Sequence, residues 1–355
     1  MPFFTSFSGK ILSAPGLKLG SRLFQFAKTL SSNVQEYNLR NDLLANGWDG
    51  VTPVDAQITV NSGVYVWSDN ISTAAFTTGS LVADSVISII NNGYIIGKGG
   101  NASWVRDPML YDGNFLFTPV QNGGPAINLN YPVSITNNSY IAGGGGGGRS
   151  GSMHADTNAI SETNARVIGT FSGGGGGAGG GDGGYALQDS SQAIFSGWDQ
   201  EVFRGLGGNV GQTGGSGGGI TDMFYFSYSG WYNGGGGGRI LPGVGGTGSR
   251  TWIVDGNGFV TGGYAQGGGA GGGAAFTHYY TAQINGVDGG SAGNAGVAGS
   301  RGGPTNGPGG GSGGGWGASG GSSANGAGGT GGKAVNLNGN TVTWVATGTR
   351  YGAIS

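Results

Sequence analysis

Few side chains in this sequence are of the kinds that make and break bonds. His154, Asp156 and Glu162 share one polar stretch, RSGSMHADTNAISETNARVIGTFS. An imidazole with two carboxylates could contribute to a metal site, but the same groups are ordinary hydrogen-bond partners within a polar loop. The second histidine, His278, is remote from them in sequence. No metal site is assigned, and ion binding by His154 and Asp156 stays open. Asp189, Asp199, Glu201 and Asp222 supply carboxylates from which the acid and base of a glycan-cleaving site could be drawn, yet their spacing selects no pair. Gly-x-Gly-x-x-Gly patterns recur by composition alone, none of them between a strand and a helix, so no nucleotide site is read. Without cysteine there is neither a disulfide framework nor a thiolate zinc site. The expectation is a protein that is not an enzyme, with no catalytic residue and no cofactor.

Binding chemistry is better represented. The run DMFYFSYSGWY, residues 222–232, places Met223, Phe224, Tyr225, Phe226, Tyr228, Trp231 and Tyr232 beside a glycine block. FTHYY adds Phe276, Tyr279 and Tyr280, and a third insert carries Trp198, Phe203 and Arg204. Aromatic rings give large, rigid contact area at small entropic cost, and Tyr, Trp and Arg dominate binding hot spots. All of these except Met223 are candidate contacts for a partner. The alternative is that the rings cover neighbouring glycine, which has no side chain to bury.

The elements that must position these rings are unusual in composition. Glycine supplies 88 of 355 residues, more than three times its usual share of about 7%. Collagen needs glycine at every third position and abundant proline, whereas here glycine comes in blocks and there are only 10 prolines. Disordered chains are poor in apolar residues and rich in charge; this one is 36% hydrophobic, 10% aromatic and 9% charged. A net charge of −2 offers no footprint for nucleic acid or an anionic membrane. The longest apolar run, VISII at 86–90, is far short of the roughly 20 residues of a membrane helix, so neither nucleic acid nor membrane insertion is expected. MPFFTSFSGKILSAPG lacks the charged head and clean apolar core of a secretory signal.

Composition divides the chain into segments. Residues 1–47 read as a helical attachment region: Leu23, Ala27, Leu30, Val34 and Tyr37 follow helical spacing, Asn33 with Glu36 resembles a capping box, and Gly47 suits a stop. One or two short helices are expected there. Residues 48–142 read as a β-rich neck of short strands ending in Asn or Gly turns. Two of its stretches are copies. ISIINNGYIIGKGG (87–100) and VSITNNSYIAGGGG (133–146) align Ser88 with Ser134, Ile89 with Ile135, Asn91 with Asn137, Asn92 with Asn138, Tyr94 with Tyr140, Ile95 with Ile141 and Gly97 with Gly143. An internal repeat implies a repeated structural unit, here strand, Asn turn, strand and glycine tail. Residues 143–333 alternate glycine blocks with long aromatic inserts, a scaffold bearing loops, and 334–355 read as a C-terminal strand segment.

Glycine has no Cβ, so its backbone can approach another closely, but ordering it costs more entropy than ordering any other residue. An ordered block must recover that cost. A polyproline-II-type glycine helix makes no internal hydrogen bonds, so its amides need partners outside it. Several such helices side by side could bond laterally, and any Cβ in the middle layer would collide with a neighbour. The competing reading is that the blocks are flexible spacers.

Glycine blocks separated by aromatic loops, with SIINNGYIIGKGGNA leading into them, resemble the adhesins that tip the long tail fibres of T-even-like bacteriophages. YNLRNDLLANGWDGVTPVDAQITVNSGVYV and VTWVATGTRYGAIS are similar to pieces of glycine-rich tail proteins in lambda-like phages. The resemblance covers roughly residues 37–355 and does not extend to an attachment domain in residues 1–47. It implies a sandwich of packed polyglycine II helices with surface loops, which, with the small helical N-terminal region and β-rich neck read from the residues, makes the expected fold mainly β and irregular. It further implies a virion protein of the tail or tail-fibre tip. The loops would bind an outer-membrane protein or glycan of a bacterial host, and the N-terminal region would bind other tail or fibre proteins. The alternatives are a structural virion component, such as a tail or head decoration, and a tail-borne glycan depolymerase. Whether the chain forms a homo-oligomer stays open.

Overall fold

The computed structural model describes residues 23–103, 105–106, 116–153, 166–172, 174–184, 205–214, 219–224, 227–232, 237, 239, 251–254, 260–263, 295–300, 310–323 and 325–355. The run expected to be helical begins as a strand, Phe24–Leu30. Phe24, Phe26 and Lys28 are half-buried and Leu30 is buried, while Gln25, Ala27 and Thr29 are exposed. This is the period of two of a pleated strand. Lys28 disguises it, because its inward position is satisfied by Asp42, with Nζ 2.7 Å from Oδ1. The one helix among the described residues is Leu39–Ala45, capped by Asn38, whose side chain accepts the Asn41 N–H at 3.1 Å. Asn33 and Glu36 do not cap it. Asn33 accepts the Tyr65 N–H at 3.0 Å, and Glu36, at φ +51°, accepts the Ser68 hydroxyl at 3.0 Å. Gly47, at φ +92°, follows the end of the helix in the left-handed conformation glycine favours.

Three parallel sheets are built by one winding path. The first face contains Phe24–Leu30, Val54–Val60, Val86–Asn91, Val133–Asn137 and Val342–Ala346. The second contains Val34–Gln35, Tyr65–Trp67, Tyr94–Ile96, Tyr140–Ala142 and Thr349–Tyr351. The third contains Tyr37–Asn38, Phe76–Thr77, Ile127–Asn128 and Val335–Asn336, extended by a parallel bridge from Val335 to Ile354. Each circuit visits the faces in order, so the described strands form a three-sided stack of five rungs, a parallel β-helix. The first rung is built from residues 24–38, Val335–Asn336 completes the fourth, and 342–354 form the last.

The core fills the axis of this stack. Ile58, Ile89 and Ile135 pair in register on the first face, Val66, Ile95 and Ile141 on the second, and Phe76, Ile127 and Val335 on the third, and all are buried. Fully burying one such side chain contributes roughly 1.5–3 kcal/mol. Leu39 and Leu43 of the helix are fully buried in the same core.

The internal repeat is the match of rung three to rung four. Ser134 pairs with Ser88, Ile135 with Ile89, Asn137 with Asn91, Tyr140 with Tyr94 and Ile141 with Ile95, which is the alignment of the two sequence copies. The Asn turn is a ladder of buried amides. Asn91 Nδ2 donates to Asn137 Oδ1 at 2.8 Å, and Asn137 Nδ2 donates to the Thr347 carbonyl at 2.9 Å in the next rung. Asn thus satisfies turn after turn in a position where an unpaired polar group would be costly. Outside, Tyr65, Tyr94, Tyr140 and Tyr351 stack in sequence, with ring centroids 4.5, 5.7 and 6.4 Å apart.

The glycine segments leave the second face without a turn. Gly97–Gly100 continue from Tyr94–Ile96, Gly143–Gly148 continue from Tyr140–Ala142, and the ladder carries on through Gly97 N–H to the Ala142 carbonyl (2.9 Å) and Gly100 N–H to the Gly145 carbonyl (2.8 Å). Both excursions return to the third face, at Ile127 and Val335. Every N–H and C=O from Gly143 to Gly148 is bonded, at 2.7–3.1 Å, in directions that repeat every third residue. Gly144 and Gly147 donate to Gly124 and Gln121 and accept from Gly332 and Gly329. Gly145 and Gly148 donate to Ala178 and Gly175 and accept from Gly100 and Ser103. Gly146 donates to Ala318 and accepts from Gly314, while Gly143 donates to Tyr351 and accepts from Gly317.

The central helix therefore has six neighbouring segments: 97–103, 121–124, 329–332, 318–321, 311–315 and 174–178. Each of these also bonds to the next, in that order, and the ring closes from Gly177 N–H to the Gly100 carbonyl at 2.9 Å. A three-residue period with lateral bonds in six directions is hexagonal packing of polyproline-II-type helices. It answers the demand for partners that isolated glycine helices cannot meet. A Cβ placed on any glycine from 143 to 148 would come within 3.0 Å of a neighbour's backbone carbonyl.

Candidate functional site

The lattice holds the roots of the inserts. Gly151–Met153 follows the central helix directly and pairs antiparallel with Arg166–Ser172, which returns the chain to the lattice segment 174–178. Arg166–Ser172 pairs in parallel with Ser227–Tyr232, and that strand forms an antiparallel hairpin with Gly219–Phe224. The register sets Ile220 opposite Trp231, Met223 opposite Tyr228 and Gly219 opposite Tyr232. Phe224, Tyr228, Trp231 and Tyr232, which the sequence singles out, are thus brought to one four-stranded sheet rooted on the glycine body. Asp222 sits on the same hairpin, opposite Ser229. A second hairpin pairs Thr251–Val254 with Val260–Gly263. Trp198, Phe203, Arg204, Tyr225, Phe226, Phe276, Tyr279 and Tyr280 lie outside the described residues, as do His154, Asp156, Glu162, Asp189, Asp199, Glu201 and His278.

The hairpin's flanks are bonded to the body through an outer layer. Gly183 N–H donates to the Gly205 carbonyl (2.9 Å), Gly207 N–H to Asp182 Oδ1 (2.7 Å), Gly208 N–H to the Gly237 carbonyl (2.8 Å) and Gly237 N–H to the Gly181 carbonyl (2.7 Å). Residues 205–212 and Gly237 flank residues 219–232 in the chain. The chain belongs to the phage tail fibre adhesin Gp38 family. The family model matches residues 25–230, which take in the first four rungs' leading strands, the central glycine helix and most of the aromatic hairpin. Among solved structures, the adhesin resembles the crystal structure of the gp37-gp38 adhesin tip complex of the bacteriophage S16 long tail fiber, at 15% identity and a TM-score of 0.43, over 94% of this chain and 83% of that one. No curated protein matches the adhesin in sequence.

Two side chains of the adhesin that the sequence did not single out join its parts. Trp316, fully buried, sits in the turn between lattice segments 311–315 and 318–321 and packs with Ile96, Ala142 and the stacked tyrosines. Its signal was a lone large ring in a nearly pure glycine stretch, GGGSGGGWGASGG. Arg239, which follows the block at 234–238, reaches back to the second rung. Its guanidinium bonds to the Asp69 carboxylate, donates from Nε to the Gly179 carbonyl at 3.0 Å, and lies 4.7 Å from the centroid of Trp67. Lys98 Nζ contacts the same carboxylate oxygen at 3.0 Å and the Gly180 carbonyl at 2.8 Å.

Burial opposes ionisation of Asp69, but hydrogen bonds from Arg239 and Lys98 outweigh it and hold the carboxyl below its ordinary value. A depressed folded pKa contributes stability above the unfolded value, and that contribution disappears as pH falls through the folded value. Asp69→Asn is therefore expected to lower the melting temperature at pH 7, and the gap should narrow as pH falls below the usual carboxylate value of about 3.9. Thermal melts of both proteins across that range check it. A gap that stays constant into acid would show that the Asp69 charge is not what matters.

Proposed function

We propose that this adhesin recognises a bacterial surface receptor, an outer-membrane protein or a glycan, by non-covalent contact through the aromatic inserts of its glycine body. One observation carries the reading: the six-segment ring around the central glycine helix closes without residues 185–300. The lattice needs no long aromatic insert to satisfy its own backbone. The hairpin 219–232, with its Tyr and Trp residues, is additional structure on a rigid base. A rigid scaffold that positions variable loops is the usual arrangement for recognition. The candidate contacts are Phe224, Tyr225, Phe226, Tyr228, Trp231 and Tyr232, together with Trp198, Phe203, Arg204, Phe276, Tyr279 and Tyr280.

The same reading sets the adhesin at the tail-fibre tip, joined to other fibre proteins through its N-terminal region. The first rung supports this. Phe24–Leu30 pairs with Val54–Val60 over seven unbroken positions and has its other edge open among the described residues, whereas the last rung is blunted by a register shift beside Ile135 and Thr136. Bulges and short strands protect a sheet edge, and a long regular edge is suited to pairing.

Tyr225→Ser, Tyr228→Ser and Trp231→Ser together should reduce binding to host cells at least tenfold, with the melting temperature held within a few degrees. Each aromatic hot spot typically carries about 2 kcal/mol or more. A folded triple variant that binds host cells as well as the parent would make this insert structural.

A further inference from the structure

The socket around Arg239 is more elaborate than a surface ion pair. Arg239 is 4% exposed. Its guanidinium has the Trp67 ring on one side and hydrogen-bonding oxygens from Asp69 and Gly179 around it. Gly179 and Gly180 form a left-handed turn, at φ +106° and +81°, and a Cβ on Gly180 would run into the Arg239 side chain. The turn is thus shaped to admit a guanidinium. Lys98 shares the Asp69 oxygen, so two cations rest on one carboxylate. The parts come from the second rung, the first glycine excursion and the 178–181 turn, and together they tie three layers of the molecule.

The backbone of Arg239 belongs to the outer layer. Its N–H donates to the Gln212 carbonyl at 2.8 Å, its carbonyl accepts the Gly211 N–H at 3.3 Å, and a parallel bridge pairs it with Val210. Residues 210–212 precede the aromatic hairpin and Arg239 follows it, so one bonded unit clasps both ends of the excursion that carries Gly219–Phe224 and Ser227–Tyr232. Arg239 is the side chain by which this clasp is anchored to the β-helix. Arginine suits the task, because a planar guanidinium can stack on a ring while its edge bonds to carboxylate and carbonyl.

We propose that Arg239 is a positioning residue for receptor recognition: seated on Trp67 and Asp69, it fixes the base of the 219–232 hairpin against the β-helix. This rests on the proposal that the hairpin contacts the receptor. Without the seat, the hairpin keeps its pairing with Arg166–Ser172 and the outer layer keeps its backbone bonds to the body, but the base of the hairpin is no longer pinned to Trp67 and Asp69, and the receptor-competent arrangement becomes a smaller part of the ensemble.

The test uses the full chain with Arg239→Met, which keeps an apolar stem on Trp67, and Asp69→Asn, which leaves Arg239 and Lys98 facing each other without a carboxylate. Hydrogen exchange and binding to host cells are measured on each. Arg239→Met should raise the exchange of the amides of residues 208, 211, 212, 237 and 239 at least tenfold, leave Val86–Asn91 and the strand-paired amides of Ser227–Tyr232 unchanged, and weaken host-cell binding at least tenfold. Asp69→Asn should move both readouts in the same direction, and Arg239→Lys should recover part of each. Unchanged exchange in folded Arg239→Met and Asp69→Asn proteins would overturn the anchoring role and leave the recognition proposal standing. Faster exchange with undiminished binding would instead overturn recognition by this hairpin, the reading on which the proposal depends.

Discussion

Gly145→Val is expected to prevent the glycine body from closing. A Cβ at Gly145 would lie within 3.0 Å of the carbonyl oxygens of Gly314 and Gly315 and of the Ala178 nitrogen. These atoms are backbone, held by bonds from Gly314 N–H to Gly146 and from Ala178 N–H to Gly314, so no side-chain rotation can make room. Gly145 itself donates to Ala178 at 2.7 Å and accepts from Gly100 at 2.8 Å, and both bonds must lengthen if the helices separate. Leaving such groups unpaired costs about 1–3 kcal/mol each, and the total should exceed about 4 kcal/mol, the exceptional range for one substitution. Gly339→Ala supplies the contrast. Gly339 is also in the left-handed region, at φ +79°, but its Cβ would meet nothing within 4 Å. Its cost should be only the conformational penalty of about 1–2 kcal/mol. Equilibrium denaturation of the two variants separates crowding from conformational strain. A Gly145→Val protein with the parental melting temperature would contradict the lattice.

Trp316→Ala is the next largest expected loss, about 3–5 kcal/mol for removing a fully buried indole. The ring fills the seam where the glycine turn meets the second face, against Ile96, Ala142 and the tyrosine stack. Glycine supplies no side chains there, so the cavity has little with which to refill. Trp316→Phe should cost less because it keeps a ring in the seam. Urea denaturation followed by tyrosine and tryptophan fluorescence measures both. A loss under about 0.5 kcal/mol for the alanine variant, the size typical of a surface change, would show that the seam is held by the backbone bonds alone.

The sequence carried some of this fold openly. The copies at 87–100 and 133–146 pointed to a repeated unit because stacked rungs place like residues over like, and Asn91 and Asn137 must both satisfy the same turn. The purity of Gly143–Gly148 also pointed to its cause, since every Cβ direction there is occupied. Other features depended on distant partners. Phe24–Leu30 reads as a helix while its inward Lys28 is counted as polar, and only the pairing with Asp42 shows why a lysine can face inward. The winding path joins residues far apart in the chain, as when Ser134 meets Thr343 and Ile127 meets Val335, and local spacing says nothing of such parallel pairings. The aromatic run at 222–232 was visible as binding chemistry, but Arg239 and Trp316 were not. Their importance comes from Trp67 and Asp69 and from Ile96 and Ala142, which no local window contains.

Recognition of the host surface by the isolated adhesin can be measured by competition. Host cells are incubated with purified full-length protein, phage carrying the same adhesin is added, and free phage is counted over time. The adsorption rate should fall with protein concentration, and the Tyr225→Ser, Tyr228→Ser, Trp231→Ser protein should compete poorly. An adsorption rate unchanged at saturating concentrations of folded parental protein would mean that the adhesin does not itself recognise the host surface.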